Sequence, residues 1–161
     1  MNAPHDAPVG TRSIAFRLNG ADAAAAPGES ILDVADRLGV PLPRLCHKPG
    51  LRPDGNCRSC MVEIKGERVL APSCCRAPAP DMEVATDSPR AVHAQKLVVE
   101  LLASDVPDRV YKPDSELERW RRHLGIGKPR FPARGQPPAD LSHPAMAVNL
   151  DACIQCTRCV R

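Results

Sequence analysis

The sequence predicts an α+β domain in the first half of the chain, followed by helices, a proline-rich linker and a separate cysteine-containing segment. Three observations support this prediction: strand-like alternation with turn signals near the start, a well-capped helix, and a cysteine-rich stretch without apolar periodicity. The 161 residues suit one ordinary domain, or a small domain with appendages. Aromatic residues make up only 2% of the chain, so its core must be built from Ala, Val, Leu and Ile.

Two strands joined by a turn open the predicted domain, after a start over residues 1–11 that we expect to be disordered. Apolar side chains alternate over residues 13–18, which is typical of a strand with one buried face. Asn19-Gly20 then predicts a hairpin turn, and a weaker strand is expected over residues 21–26.

A helix is predicted next, beginning after Ser30, whose side chain makes a favourable N-cap. Asp33 supplies an acidic first turn, and Gly39 ends the helix. The predicted buried face consists of four apolar residues at helical spacing: Ile31, Val34, Ala35 and Leu38.

A loop is predicted over residues 41–60, where apolar periodicity is absent and Pro, Gly, Asn and three cysteines accumulate. We call this segment the cysteine loop. A hairpin with strands over 61–65 and 68–70 follows, and a last strand is expected over 82–86. The order of two strands, helix, loop and three strands predicts a β-grasp domain over residues 12–87.

A helical segment is predicted over residues 88–125. Its first helix begins with Ser88 as N-cap and Pro89 at the first helical position, and it ends near Asp105. The apolar stripe of this helix is expected to comprise Ala94, Leu97, Val98, Leu101 and Leu102.

A second helix is expected over residues 114–124, starting at Asp114 or Ser115, with Glu118 completing a capping-box pattern and Gly125 at its end. Its predicted buried side consists of Leu117, Trp120 and Leu124. Residues 126–144 are rich in proline and predict an extended linker.

The first cysteine group is Cys46-x10-Cys57-x2-Cys60-x13-Cys74. Four thiolates are what a [2Fe–2S] cluster needs, and grouped cysteines in a reducing compartment bind metal more often than they form disulfides. Structural zinc also takes four cysteines and stands as the alternative. Cys75 follows Cys74 directly, so spacing alone does not separate them. Nearby, we expect His47 to be a solvated loop residue and Arg58 to lie on the surface.

The second cysteine group is Cys153-x2-Cys156-x2-Cys159, within residues 145–161. This spacing is the opening of a bacterial ferredoxin [4Fe–4S] motif, whose fourth cysteine follows three residues later. The group therefore supplies three of four ligands, and the fourth would lie outside this sequence. We expect the sequence to be the front part of a longer polypeptide.

Composition and motifs argue against several classes of function. The formal net charge is +3, without the basic stripe or aromatic platform typical of nucleic-acid binding. No apolar run is long enough for a membrane span, and the start has no secretory pattern, so a cytoplasmic location is expected. No nucleophile–base pair, Walker loop or dinucleotide-binding glycine motif is present, so no catalytic residue is predicted in this chain.

Residues 13–86, with the first cysteine group, resemble the [2Fe–2S] domain shared by three kinds of subunit. These are complex I large subunits, NAD-reducing hydrogenase diaphorase subunits and the alpha subunits of NAD-dependent molybdenum formate dehydrogenases. The related proteins place the last ligand after a Pro-small pair, as in Pro72-Ser73-Cys74. The resemblance thus implies that Cys74 is the ligand and that Cys75 is a spare buried thiol.

In the first two families, the helix after this domain leads into His-Pro and three cysteines that bind a [4Fe–4S] cluster. Here Val106-Pro107 stands in that place, and no cysteine lies between Cys75 and Cys153. Residues 88–125 are therefore interpreted as a degenerate, clusterless version of that region. Formate dehydrogenase alpha subunits are similar in lacking it, and the stretches 127–134 and 143–153 also resemble theirs.

This resemblance implies an electron-transfer module that relays single electrons between a molybdopterin site that oxidises formate and a flavin/NAD subunit. The molybdopterin domain would lie downstream in the full-length polypeptide, and further iron–sulfur subunits would be partners. The alternatives are a free ferredoxin-like carrier, or the equivalent subunit of an NADH-quinone oxidoreductase or NAD-reducing hydrogenase. A zinc-stapled interaction module is the alternative from a different class.

Overall fold

A computed structural model describes residues 13–106, 114–135, 137–151 and 153–161. The start predicted to be disordered lies outside these residues. The strands are β1 (Ile14–Leu18), β2 (Ala21–Ala25), β3 (Met61–Ile64), β4 (Ala71–Pro72), β5 (Glu83–Ala85), β6 (Asp140–His143) and β7 (Met146–Val148). The helices are α1 (Ile31–Arg37), α2 (Pro89–Ser104) and α3 (Glu116–His123).

The first five strands form one mixed sheet in the order β2-β1-β5-β3-β4. The pair β1–β5 is parallel, and the other three neighbouring pairs are antiparallel. Phe16 and Leu18 are buried on one face of β1, as the alternation predicts. Asn19 and Gly20 both have positive φ, at 52° and 80°, which suits a tight hairpin between right-twisted strands. The α+β class is confirmed.

Helix α1 packs its apolar side into the core formed with this sheet. Ser30 caps it: the Ser30 hydroxyl accepts from the Asp33 amide, and the Asp33 carboxylate accepts from the Ser30 amide. Leu38, predicted on the buried face, is instead 49% exposed, because the helix ends at Arg37 and the chain turns away at Gly39. The core contains Phe16, Leu18, Ala25, Ile31, Leu32, Val34, Ala35, Leu42, Cys60, Val62, Ile64, Ala71, Cys74 and Val84.

Helix α2 begins at the predicted N-cap, Ser88, but its buried face differs from the predicted stripe. Leu101 is exposed, and the other four predicted stripe residues are only half-buried. The buried positions are Ala91, Gln95, Val99, Glu100, Ala103 and Ser104. The prediction is wrong because it counted only apolar residues, whereas Gln95 and Glu100 are buried with hydrogen-bonded partners.

Two further predictions of secondary structure need correction. The strand paired with β3 is Ala71–Pro72, and the predicted strand at 68–70 is a bend. The linker does not remain a single extended segment, because β6 at its end pairs with β7, just beyond it, in an exposed antiparallel hairpin. Both short strands lack buried residues, so hydrophobic patterning carries no signal for them.

Helix α3 has Ser115 as N-cap and Gly125 in a left-handed conformation just after its C-cap, as predicted. Of its predicted buried side, Leu124 is buried, whereas Leu117 and Trp120 are half-buried. Among the described residues, no helix has the length and apolar character needed to cross a membrane.

Candidate metal centre

The first cysteine group is positioned by the cysteine loop and by the strands that follow it. Cys46 comes directly after the buried anchor Leu45, and Cys60 directly precedes β3. Cys74 follows β4, which pairs with β3, so the hairpin brings the last cysteine back beside Cys60. Cys46, Cys60 and Cys74 are each at most 2% exposed, and Cys57 is half-buried.

The turn that carries Cys74 is attached to the start of α1. The Leu32 amide donates to the Ser73 carbonyl at 3.2 Å, and the Ile31 amide donates to the Arg76 carbonyl at 2.8 Å. These amides belong to the first helical turn, where N–H groups have no partner within the helix. The helix start therefore holds both sides of the Cys74 position through backbone hydrogen bonds.

Cys46 and Cys57 form one contacting pair of thiols. The Cys57 amide donates to the Cys46 sulfur at 3.4 Å, and the Cys57 sulfur lies 3.1 Å from the Ser59 hydroxyl. Burial raises the pKa of Cys46. Burial also acts to raise the pKa of Cys57, but hydrogen bonds from the Ser59 hydroxyl and amide outweigh it and lower that pKa.

Cys60 and Cys74 form the second pair. A hydrogen bond from the Cys74 thiol, together with a bond from the Cys74 amide, lowers the pKa of Cys60 to about 6. The same bond to Cys60 raises the pKa of Cys74, because the two thiols share one proton. The Ser73 hydroxyl is fully buried next to Cys74 in the chain and has no hydrogen-bond partner among the described residues.

The four thiols supply the ligand set of a binuclear cluster. A [2Fe–2S] cluster takes two thiolates on each iron, and the structure arranges the thiols as two pairs. A structural zinc ion instead needs four ligands around one point.

Cys75 is exposed, so the expectation of a buried spare thiol is wrong in its burial. Its sulfur lies 3.6 Å from the Cys74 sulfur, at the edge of the second pair. Cys74 is buried in the core cluster, and this difference in burial separates two residues that spacing alone does not.

Arg58 and His47, which are next to predicted ligands, were both expected to be at the surface. Arg58 is exposed, as predicted, and it has a positive φ of 59° between Cys57 and Cys60. His47 is only 9% exposed, and its burial lowers its pKa. The prediction of a solvated histidine is therefore wrong.

The second cysteine group lies on a short irregular segment, residues 153–161, which we call the tail segment. Cys153 and Cys156 are half-buried, and Cys159 is exposed. Gln155 and Thr157 have positive φ values of 54° and 60°, and the Gln155 amide donates to the Cys153 sulfur at 3.4 Å. Amides turned toward a cysteine sulfur in this way are typical of loops that surround anionic groups.

Sequence reasoning missed Ser59 and Ser73, the hydroxyl residues that directly precede Cys60 and Cys74. Both are fully buried beside cysteine sulfurs. Their position immediately before a predicted ligand was the available signal. It was missed because serine in a loop is usually explained by turn formation.

Comparison with known proteins identifies the first half of the chain. Residues 11–89 match the family of the 2Fe-2S iron-sulfur cluster binding domain. One subunit of an NADH-quinone oxidoreductase from Rhizobium meliloti (strain 1021) is 34% identical over 141 residues, which are 83% of this chain and 16% of that protein. The NADP-reducing hydrogenase subunit HndD of Solidesulfovibrio fructosivorans is 30% identical, over 91% of this chain and 27% of that protein.

A solved structure shows the same similarity in three dimensions. A crystal structure of an NAD+-reducing [NiFe]-hydrogenase in the H2-reduced state aligns with a TM-score of 0.80 and 27% identity, over 92% of this chain and 65% of that chain. The chain is thus homologous to subunits of NADH-quinone oxidoreductases and NAD(P)-linked hydrogenases. It spans 16% to 27% of the length of the two curated relatives described above.

Proposed function

We propose that this chain is an iron–sulfur electron-transfer module, and that Cys46, Cys57, Cys60 and Cys74 hold its [2Fe–2S] cluster. The observation that carries the proposal is the arrangement of these cysteines as two hydrogen-bonded pairs, with Cys46, Cys60 and Cys74 buried. The match of residues 11–89 to a 2Fe-2S domain supports it. We assign residues 12–87 to a β-grasp domain of the ferredoxin type.

A cluster bound at these cysteines supplies a centre that accepts and donates one electron at a time. The residues of the chain bury the site and orient donors toward it. The Cys57 amide and the Ser59 hydroxyl lie within hydrogen-bond distance of cysteine sulfurs, where such bonds favour the thiolate form that metal ligation requires. Electron transfer needs no acid or base, which agrees with the absence of a catalytic motif in the sequence.

The wider role that we propose is a relay between redox subunits of an NAD-linked oxidoreductase. Relatives of this chain are subunits of an NADH-quinone oxidoreductase and of an NADP-reducing hydrogenase. By analogy, a flavin/NAD-binding subunit and further iron–sulfur subunits are the partners, in the cytoplasm. The second cysteine group (Cys153, Cys156 and Cys159) would supply three ligands of a [4Fe–4S] cluster, and another residue would supply the fourth.

Formate is the electron source that we favour. The supporting observation is the absence of cysteine between Cys75 and Cys153, which removes the extra [4Fe–4S] site of the complex I and hydrogenase subunits. The domains that this implies are a clusterless helical segment over 88–125, a linker over 126–144 and an incomplete [4Fe–4S] motif over 145–161. A molybdopterin domain would then complete the formate-oxidising protein.

The relay is tested by an EPR-monitored redox titration of the chain purified without oxygen. We expect the reduced [2Fe–2S] signal to appear and disappear reversibly with a one-electron dependence on potential. A signal that does not titrate reversibly would contradict a relay. A chain that contains zinc and gives no signal would support the zinc-stapled module instead.

The electron source is tested with the complex that copurifies with a tagged chain from its native cells. Formate, hydrogen and NADH are each added, and reduction of the [2Fe–2S] centre is followed by EPR. Reduction by formate and by NADH, but not by hydrogen, supports the formate proposal. Reduction by hydrogen supports the hydrogenase subunit, reduction by NADH alone supports the NADH-quinone oxidoreductase subunit, and a chain that copurifies with no redox partner supports a free carrier.

A further inference from the structure

The tail segment lies against the cysteine loop, so the two cysteine groups are on facing pieces of chain. Asn56 Nδ2 donates to the Gln155 carbonyl at 2.8 Å, and the Thr157 hydroxyl lies 3.1 Å from Asp54 Oδ2 and 2.7 Å from the Cys156 carbonyl, either of which can accept its proton. The pairs Asn56–Gln155 and Asp54–Thr157 are 99 and 103 residues apart in the sequence. The contact is therefore a tertiary one that joins the tail segment to the proposed [2Fe–2S] domain.

Arg158 links three parts of the molecule. Its guanidinium donates to the His47 carbonyl in the cysteine loop and forms an ion pair with Glu116 at the start of α3. Arg158 lies between Cys156 and Cys159, whereas His47 follows Cys46. The side chain of Arg158, within the second cysteine group, thus binds the backbone next to Cys46 of the first cysteine group.

Arg161 makes a more direct connection. Its Nη1 donates to the Arg52 carbonyl at 2.6 Å. Its Nη2 donates both to the Cys46 carbonyl and, at 3.3 Å, to the Cys156 carbonyl. A single nitrogen atom therefore joins the backbone of one cysteine from each group.

The charge of Arg161 matters because all of these acceptors are neutral carbonyl groups, which leave its positive charge in place beside Cys46. Reduction adds one negative charge to a cluster, and a nearby cation stabilises that added charge more strongly in a partly buried site than in water. The potential of an iron–sulfur cluster depends on net charge and on hydrogen bonds around its ligands. A cation at this place therefore favours the reduced form.

We propose that Arg158 and Arg161 are positioning residues that dock the second cysteine group on the cysteine loop, and that Arg161 also raises the reduction potential of the [2Fe–2S] cluster. This inference rests on the proposed function of the first cysteine group. It joins the backbones of the two cysteine groups through one side chain, that of Arg161.

The proposal is tested with Arg161→Gln, Arg161→Lys and Arg17→Gln in the full chain. Arg17, on β1, contacts Asp22 and the Gly20 carbonyl, so its removal is a control for the loss of one charge. We expect Arg161→Gln to lower the midpoint potential in an EPR titration while iron and sulfide contents stay at the parent level. Arg161→Lys should retain part of the effect because it keeps the charge, and Arg17→Gln should leave the potential unchanged.

A second measurement follows docking by hydrogen–deuterium exchange in Arg158→Gln and Arg161→Gln. Loss of a hydrogen bond to a charged donor should speed exchange in the tail segment and the cysteine loop by at least about tenfold. An intact cluster with the parent potential in Arg161→Gln overturns the electrostatic role, and parent exchange rates in both variants overturn the docking role. If the parent chain itself gives no [2Fe–2S] signal, that result contradicts the proposed function, and with it the role of Arg161 in setting a potential.

Discussion

At the scale of single residues, the cysteine loop depends on a close approach between Gly55 and Cys75. Gly55 is buried with a φ of +62°, and a Cβ atom added there would lie 3.0 Å from the Cys75 sulfur. Two features therefore disfavour any side chain at position 55: the left-handed backbone conformation and the nearby Cys75 sulfur. Gly50 in the same loop has a φ of +86° but open space around its added Cβ.

We therefore predict that Gly55→Ala destabilises the protein more than Gly50→Ala does. Gly50→Ala carries only the backbone cost of a left-handed residue, about 1–2 kcal/mol, which corresponds to about 2–8 °C in the unfolding midpoint of a chain of this length. The excess for Gly55→Ala should shrink when Cys75→Ala is also present, because the nearest remaining atom of residue 75 is then its Cβ at 4.0 Å. The midpoints are compared at one heating rate. Equal midpoints for the two glycine variants would contradict the close contact.

The residues of the candidate site were only partly predictable. Spacing left Cys74 and Cys75 as equivalent candidates, and only the resemblance favoured Cys74. The fold adds a difference in burial, because Cys74 lies in the core and Cys75 is exposed. The burial of His47 was missed for a related reason. Its environment is set by tertiary packing, which the local sequence does not encode.

At the scale of elements, α2 is docked on the sheet by a polar side chain. Gln95 Nε2 donates to the Met61 carbonyl at 2.9 Å and to the Thr86 carbonyl at 3.0 Å. These acceptors lie at the start of β3 and just after β5. A buried amide with two backbone partners fixes both the position of the helix and its rotation about its axis.

We predict that Gln95→Leu lowers the free energy of unfolding by about 1–3 kcal/mol, because it leaves two carbonyl groups without this donor. The matched control is Lys96→Leu, which places the same side chain on the exposed side of α2 and should change stability by less than about 0.5 kcal/mol. Chemical unfolding followed by circular dichroism measures both. If Gln95→Leu is as stable as the parent, apolar contacts alone dock α2.

The elements themselves were well predicted where local signals were strong. The caps Ser30, Ser88 and Ser115 all begin helices, because capping is a local interaction between neighbouring residues. The rotation of α2 and the hairpin β6–β7 were not predicted. The first depends on buried polar contacts and the second on strands without a buried face, and neither leaves a hydrophobic pattern.

At the scale of the whole molecule, the segments that follow the sheet domain are tied back by charged side chains. Arg130 binds the Glu100 carboxylate of α2 with Nε at 2.8 Å and Nη2 at 2.7 Å, and its amide adds a third bond at 3.0 Å. These bonds lower the pKa of Glu100 to about 2. The linker is thus fastened to α2, and the tail segment is fastened to the cysteine loop.

The lowered pKa of Glu100 gives this attachment a defined dependence on pH. Its contribution is fully present above the ordinary carboxyl pKa of 4.5 and is lost as the pH falls toward about 2. We predict that Glu100→Gln increases the rate of tryptic cleavage after Arg130 at neutral pH. Glu83→Gln, which removes an exposed ion pair with Lys65, is the control and should leave that rate unchanged. An unchanged rate in Glu100→Gln would show that other contacts hold the linker.

The central claim is that Cys46, Cys57, Cys60 and Cys74 hold a [2Fe–2S] cluster. The most direct measurement is the iron, acid-labile sulfide and zinc content of the parent, Cys74→Ser and Cys75→Ser, all purified without oxygen. We predict that Cys74→Ser loses about two irons and two sulfides per chain relative to the parent, whereas Cys75→Ser keeps them. Zinc without sulfide in the parent, or equal iron and sulfide contents in the parent and Cys74→Ser, would contradict the claim.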